Sequence, residues 1–388
     1  MFDLAAQPQT FHKTAVASLP HAVREKPSLR PEPQELKDVL ADFGHELVMR
    51  ASDECRVLPH ILHLIGKGGE HVVFEDIRYP NYIVKIDFIE SLPVLYAVAQ
   101  GQGPLQKAVA ELKDKAKIHS CRLRELQSYF PSGSVPLEIV AVKNIPLRTD
   151  VVLALMHDRN LQVPKKLIVP PSLPLLCTIQ RRIILPKDKI DIYSSYSELN
   201  RTISLDYYAA GHRLLAGAEA IGPADREARN KIIRYIYPSL GSLMKKLVDD
   251  PNFMRALADY IRRAMRYTLD TGEIIDMAGG GNVMFFKNDD GYWQPFLMDV
   301  LSPPELNVEL IHQTALLIKH GQDVDIHTKA NTLNVLNYIR FANALAILSN
   351  ITDRLEVRGM SDITPEQWHA GLMIEKYLDV YTPKSYNP

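Results

Sequence analysis

Two oxygen-donor side chains, Asn282 and Asp299, flank the stretch between residues 272 and 300, GEIIDMAGGGNVMFFKNDDGYWQPFLMDV. Val283 to Lys287 and Tyr292 to Met298 have the composition of strands. Asn288-Asp289-Asp290-Gly291 between them is a tight-turn sequence, so the spacing predicts a hairpin with Asn282 and Asp299 at one end. Mg²⁺ takes a few carboxylate or amide oxygens and completes its shell with substrate phosphates and water, and this pair supplies that minimum. Each residue alone is ordinary, since asparagines cap turns and aspartates end strands. The run Gly279-Gly280-Gly281 just before Asn282 gives the pair its weight. In the same stretch Asp276 is either a general base or a turn aspartate.

Further residues with chemistry lie upstream. Gly66-Lys67-Gly68-Gly69 sits between two β-rich runs, where absent side chains let main-chain N–H groups approach phosphate oxygens. A plain hairpin needing positive φ at Gly68 or Gly69 accounts for the same glycines. Lys85 interrupts the apolar strand Tyr82-Ile83-Val84-Lys85-Ile86, in which Val84 and Ile86 face the other way. A buried ammonium requires a partner, whereas a lysine on the wet face of an edge strand does not. Two glutamates on the following helix, Glu125 and Glu111, are the partners available; Glu125 suits a helix packed across a small sheet. His312, His320 and His327 match no established metal-ligand spacing, and no strand precedes Gly241-Ser242 to make it a nucleophile elbow.

The elements that must position these groups follow from periodicity. VLPHILHLIGKGGEHVVFED and NYIVKIDF read as strands, the first able to fold back at its glycines. A helix is expected over 104–129, then strands in LEIVAVKN and LLCTIQRRIIL. Most of the remainder has helical spacing, including REARNKIIRYIYPSLGSLMKKLV and FMRALADYIRRAMRYTLD, broken by the hairpin at 283–298. Residues 1–32, rich in proline and poor in large apolar side chains, are expected to form a mobile arm, and 33–54 a helical extension. A chain of 388 residues exceeds one typical core, so two lobes are expected. With 45 Lys and Arg against 46 Asp and Glu, net charge gives no support to nucleic-acid or membrane-surface binding. Cys55, Cys121 and Cys177 form no disulfide or zinc pattern, which fits a reducing, cytoplasmic setting. No signal peptide or membrane-spanning run is legible, so a soluble protein is expected.

Taken in order, the glycine turn, the strand lysine, the helix glutamate, the D-x-x-x-x-x-N-V-M-F loop and the apolar strand ending in aspartate resemble the protein-kinase-like superfamily. The likeness is closer to small-molecule kinases of the aminoglycoside-phosphotransferase type than to typical protein kinases, and it runs in segments over residues 58–305. It implies an α+β fold of two lobes, a small β-sheet lobe over 55–185 and a large helical lobe over 186–388, with ATP between them. Gly66, Gly68 and Gly69 would cover the phosphates, Lys85 would contact them and Glu125 would orient Lys85. Thr178-Ile179-Gln180-Arg181 would supply the adenine hinge. Asn282 and Asp299 would hold Mg²⁺, and Asp276 would be the base. The chain departs from the family where Asp276 lies six positions before Asn282 rather than five, leaving Met277 in the base's place. Either the loop bulges by one residue or the base is missing. Val300-Leu301 follow Asp299 in place of Phe-Gly, and no Ala-Pro-Glu element appears downstream. The implied activity is phosphoryl transfer to a hydroxyl of a small molecule or a protein. The alternative is a pseudokinase, a nucleotide-binding or interaction module whose helical additions meet a protein partner.

Overall fold

The computed structural model describes residues 62–372, apart from 68–70, 77–79, 88–89, 101–104, 146–171, 184–185, 187, 196–204, 222, 279, 289 and 299. The arm and helical extension expected before residue 55 lie outside the described residues, as do Gly68, Gly69 and Asp299. The structure is 53% helical and 19% strand, which makes the class mixed α and β. It divides into two compact units. One comprises the described residues up to Lys189 together with Phe296–Met298. The other comprises Ile190–Pro295 and the described residues beyond Met298. The division falls between Lys189 and Ile190, and the short piece at 296–298, which the sequence reading placed with the helices, belongs to the sheet unit. Within that unit the main-chain N–H of Leu297 donates to the Ser134 carbonyl at 2.7 Å.

The sheet unit holds β1 (Leu62–Lys67), β2 (His71–Asp76), β3 (Tyr82–Asp87), α1 (Leu92–Gln100), α2 (Leu105–Tyr129), β4 (Glu138–Ile145) and β5 (Leu173–Arg181). The five strands form one antiparallel sheet in the order β1-β2-β3-β5-β4. β5 lies between β3 and β4 and is buried on both faces, which explains its near-continuous apolar run Leu-Pro-Leu-Leu-Cys-Thr-Ile-Gln. α1 and α2 cover one face, where Val94, Ala97, Ala108, Leu112 and Ala116 pack with Val140 and Leu176. The sequence reading had no helix at Leu92–Gln100. The segment LPVLYAVAQ is apolar nearly throughout, so it lacks the polar face by which a short helix is recognised. Cys177 is buried and unpaired, and burial pushes its thiol pKa up, which keeps it an inert core residue.

The helical unit runs β6 (Ile190–Asp191), α3 (Leu205–Ile221), α4 (Arg226–Ile236), α5 (Gly241–Asp249), α6 (Pro251–Thr271), β7 (Val283–Lys287), the first three residues of β8 (Trp293–Leu297), α7 (Glu309–Lys319), α8 (Ile326–Leu348) and α9 (Pro365–Gly371). The stretch 226–248, read from sequence as continuously helical, is broken at Tyr237-Pro238. Proline there cannot donate to the preceding turn, and a single 3₁₀ turn, Pro238–Leu240, restarts the chain as α5. α8 is the central helix of the unit, buried around nearly its whole circumference from Ala330 to Leu348. α6 is amphipathic, burying Phe253, Leu257, Tyr260, Ile261, Ala264, Tyr267 and Thr268 along one stripe. Both ends of α6 are written in its sequence. Asp250 accepts from the N–H groups of Asn252 and Phe253 at 3.1 Å each, with Pro251 in the first turn. Gly272 ends the helix in the left-handed conformation at φ 80°, donating to Thr268. Among the described residues no helix is long and apolar enough to cross a membrane.

Candidate functional site

The loop from Glu273 to Asn282 leaves the capped end of α6 and is strapped from two sides. Glu273 and Ile275 form isolated antiparallel bridges to Asn307 and Leu301, and the Asp276 N–H donates to the Val300 carbonyl at 2.8 Å. On the other side Ser194 bridges Ala278 in parallel, with its N–H donating to the Met277 carbonyl at 2.9 Å. β6 then pairs Ile190 with Phe285 and Asp191 with Met284, and β6, β7 and β8 form one three-stranded sheet. Aromatic packing holds β7 against α6. Phe285 meets Phe253 and Tyr260 edge-on at 5.4 and 5.7 Å between ring centroids. The hairpin tip is tied as well, since Trp293 Nε1 donates to Asp250 Oδ2 at 2.8 Å. That bond is the largest cause holding the Asp250 carboxyl below the usual carboxylate range.

Within this frame Asp276 and Met277 stand in different surroundings. Met277 is buried, with the Tyr260 hydroxyl donating to its Sδ at 3.5 Å, so it is a core side chain. Asp276 is half-buried, and its Oδ1 accepts from the Ala278 N–H at 2.8 Å, closing an Asx turn. Further along, Gly281 adopts φ 95°, a conformation that favours glycine, and turns the chain into β7. Asn282 then reaches back across the loop. Its Nδ2 donates to the carbonyls of Asp276 at 3.4 Å and Ala278 at 3.3 Å, two long bonds. The side chain's remaining group is Oδ1, an acceptor held by the loop itself. A single oriented amide oxygen beside a carboxylate-bearing turn is a donor set that fits a hard cation shared with phosphate oxygens. Among the described residues no group of three or more His, Cys, Asp and Glu could hold a metal unaided, and His312, His320 and His327 form none. Asp299, the second ligand expected from sequence, lies outside the described residues.

The sheet unit positions the other expected residues by register. Lys85 stands opposite Val73 on β2 and Thr178 on β5, and Thr178 stands opposite Val140 on β4. Directly paired residues share a face, and Val140 belongs to the α1–α2 core, so Lys85 rises on the helix-covered face. It is 5% exposed, which removes the wet-edge alternative. Of the two glutamates, Glu111 is solvent-facing and paired with Lys107 at 3.8 Å, whereas Glu125 is half-buried on α2. Gly66 lies in the ladder opposite Val73, just past a β-bulge at Ile65.

The adenine hinge requires a correction. Thr178, Ile179 and Gln180 pair with β3 on one side and β4 on the other, so their main-chain groups are spent in the sheet. The chain leaves the ladder only after Arg181; Arg182 donates its N–H to the Asn81 carbonyl and its side chain forms an ion pair with Glu75. The side chain of Gln180 keeps a different capacity. It is fully buried on the Lys85 face, and neither Nε2 nor Oε1 has a hydrogen-bond partner among the described residues. A donor and an acceptor left together in a protein interior demand a complementary ligand or carry the desolvation cost.

No protein-family model, no curated protein and no solved structure matches this chain.

Proposed function

We propose that the chain is an ATP- and magnesium-dependent phosphotransferase of protein-kinase-like fold, acting on a hydroxyl of a small molecule or a protein. The observation that carries this reading is Asn282, whose amide nitrogen donates to the Asp276 and Ala278 carbonyls and leaves its oxygen as an acceptor in the loop that also bears the Asp276 carboxylate. Asn282 Oδ1 and Asp299 would hold Mg²⁺, which would neutralise charge on the phosphates. Lys85, an ammonium kept inside the sheet unit, contacts phosphate oxygens, with Glu125 orienting it and the turn at Gly66, Gly68 and Gly69 covering them. Gln180 offers a buried donor and acceptor to the nucleotide base. In the transfer, the acceptor oxygen bonds to the γ-phosphorus as the bond to ADP breaks, and the hydroxyl proton passes to Asp276. A cytoplasmic setting accords with the cysteine usage and belongs to this proposal.

A second reading is favoured by a specific observation. One carboxylate oxygen of Asp276 is occupied by the Ala278 N–H, and the aspartate sits one residue further from Asn282 than the family's base does. A pseudokinase would keep nucleotide binding and lose transfer. Thermal unfolding with ATP, in the presence and absence of Mg²⁺, tests the shared part: a rise in Tm with Mg·ATP that falls away in Lys85→Met is expected, and no shift under any metal condition sinks both readings. ADP formation in wild type and its loss in Asp276→Ala then separates the enzyme from the binding module.

A further inference from the structure

On α4, Arg229, Ile233 and Ile236 lie at i, i+4 and i+7, which puts Arg229 on the buried stripe of the helix and not on its wet side. It is 2% exposed. An arginine so deep is ordinarily matched to a carboxylate, because an unpaired charge in the interior is costly. Here Nη1 donates to Asn350 Oδ1 at 2.8 Å, while Nε and Nη2 are buried with no hydrogen-bond partner among the described residues. Those two nitrogens form the side-on edge of the guanidinium, a pair of parallel N–H donors whose spacing matches two oxygens of a carboxylate or phosphate.

The surroundings add positive charge without consuming the fork. Arg226 and Arg354 lie close enough that, after burial itself, their charges pull the Arg229 pKa below its ordinary value. Arg354 is paired with Glu219 at 2.9 Å and spends Nη1 on the Ile351 and Asp353 carbonyls. Arg226 donates through Nη2 to Met254 Sδ at 3.5 Å, a weak acceptor for a guanidinium. Asp225 is committed to capping α4 through the Ala228 N–H. Asn350, which accepts from Arg229, stands just past the end of α8 at φ 56°, a left-handed conformation that asparagine adopts at helix ends. The C-terminal end of α8 lies just before it, but a helix terminus carries about half an elementary charge and cannot balance the two guanidiniums, Arg229 and Arg226, that remain once Glu219 is matched to Arg354.

We infer that Arg229, with Arg226 and Arg354 beside it, is a small-oxyanion site in the helical unit that takes a phosphate or carboxylate group on the Nε–Nη2 edge. The site does not depend on the phosphotransferase reading, since none of its residues belongs to the loop or the sheet face described above.

Thermal unfolding of the full chain with inorganic phosphate or acetate at up to about 10 mM, against chloride at equal ionic strength, provides the test; low concentrations keep generic salting-out small. At least one probe is expected to raise the Tm of the wild type by about 2–4 °C, and the rise is expected to vanish in Arg229→Met. No rise with either probe, or a rise that persists in Arg229→Met, overturns the site. A phosphate bound instead beside Lys85 would show itself as that persistent rise. Should Arg229→Met fail to fold, the half-buried Arg226→Gln carries the test: about a tenfold weaker dependence on the anion supports the site, and an unchanged dependence overturns it.

Discussion

The loop at 273–282 and the Lys85 face of the sheet meet their polar requirements in opposite ways. In the loop the protein satisfies itself. Asp276 accepts from Ala278, Asn282 donates to two loop carbonyls, and segments at 190–194 and 300–307 bond the loop from either side. On the sheet, register decides where side chains stand, and it leaves Gln180 buried with both amide heteroatoms unpartnered among the described residues. The loop is therefore organised before any ligand arrives, whereas the sheet face carries a cost that a ligand can relieve. Substitutions in the loop should impair chemistry or folding, and substitutions on the sheet face should impair binding while sparing the fold.

The largest effect expected from this contrast is on turnover. Asp276→Ala removes the proposed base and an Asx turn, and ATP-dependent phosphoryl transfer should fall by about 10²–10⁴, with nucleotide affinity little changed. Unchanged turnover would remove Asp276 from the mechanism. A smaller effect is expected on folding from Gly281→Ala. An alanine at φ 95° is strained although the space around it is open, so urea unfolding should show a loss of about 1–2 kcal/mol. An unchanged midpoint would mean the loop can reach Asn282 by another path. Gln180→Leu should then give the opposite pattern. Removing two unsatisfied buried atoms should leave the unliganded protein as stable or more stable by about 1 kcal/mol, while Mg·ATP affinity falls about tenfold. If stability drops and affinity holds, Gln180 is a structural residue and the sheet face has no vacancy for a base.

The same contrast explains which parts were legible in the sequence. Period-2 alternation around Lys85 and the turn residues at 288–291 fixed β3 and the β7–β8 hairpin to within a residue or so. The long amphipathic helices α2 and α6 were legible for the same reason, having period and caps. The hinge was misplaced because LLCTIQRRIIL reads as one apolar strand, and where a central strand ends depends on how far its neighbours extend, a tertiary fact. The role of Met277 depended on the Tyr260 hydroxyl from a different element, which no local pattern announces. Arg229 was missed although a signal existed: it continues the Ile233 and Ile236 stripe, and a charged residue on an apolar stripe is the departure that marks a buried polar site.

The smallest expected effect concerns how the loop's frame responds to acid. Asp250 caps α6, and its carboxylate also accepts from Trp293 on the hairpin whose base carries Asn282. The Trp293 bond, the main-chain bonds of the cap and Lys246 together hold its folded pKa below the unfolded value of about 4. A depressed carboxylate pKa stabilises the fold above the unfolded value, and that stabilisation is lost as pH falls through the folded pKa. Asparagine caps as well as aspartate but carries no charge, so Asp250→Asn isolates this contribution. The variant should be less stable than wild type at pH 7 by up to about 1 kcal/mol, and the gap should close as the pH is lowered below about 4. Urea unfolding of both proteins at pH 7 and stepwise down to pH 2 checks it. A gap that stays constant with pH would show that the hairpin is held to α6 by the Phe253 and Trp293 rings, 5.0 Å apart, and not by the charge on Asp250.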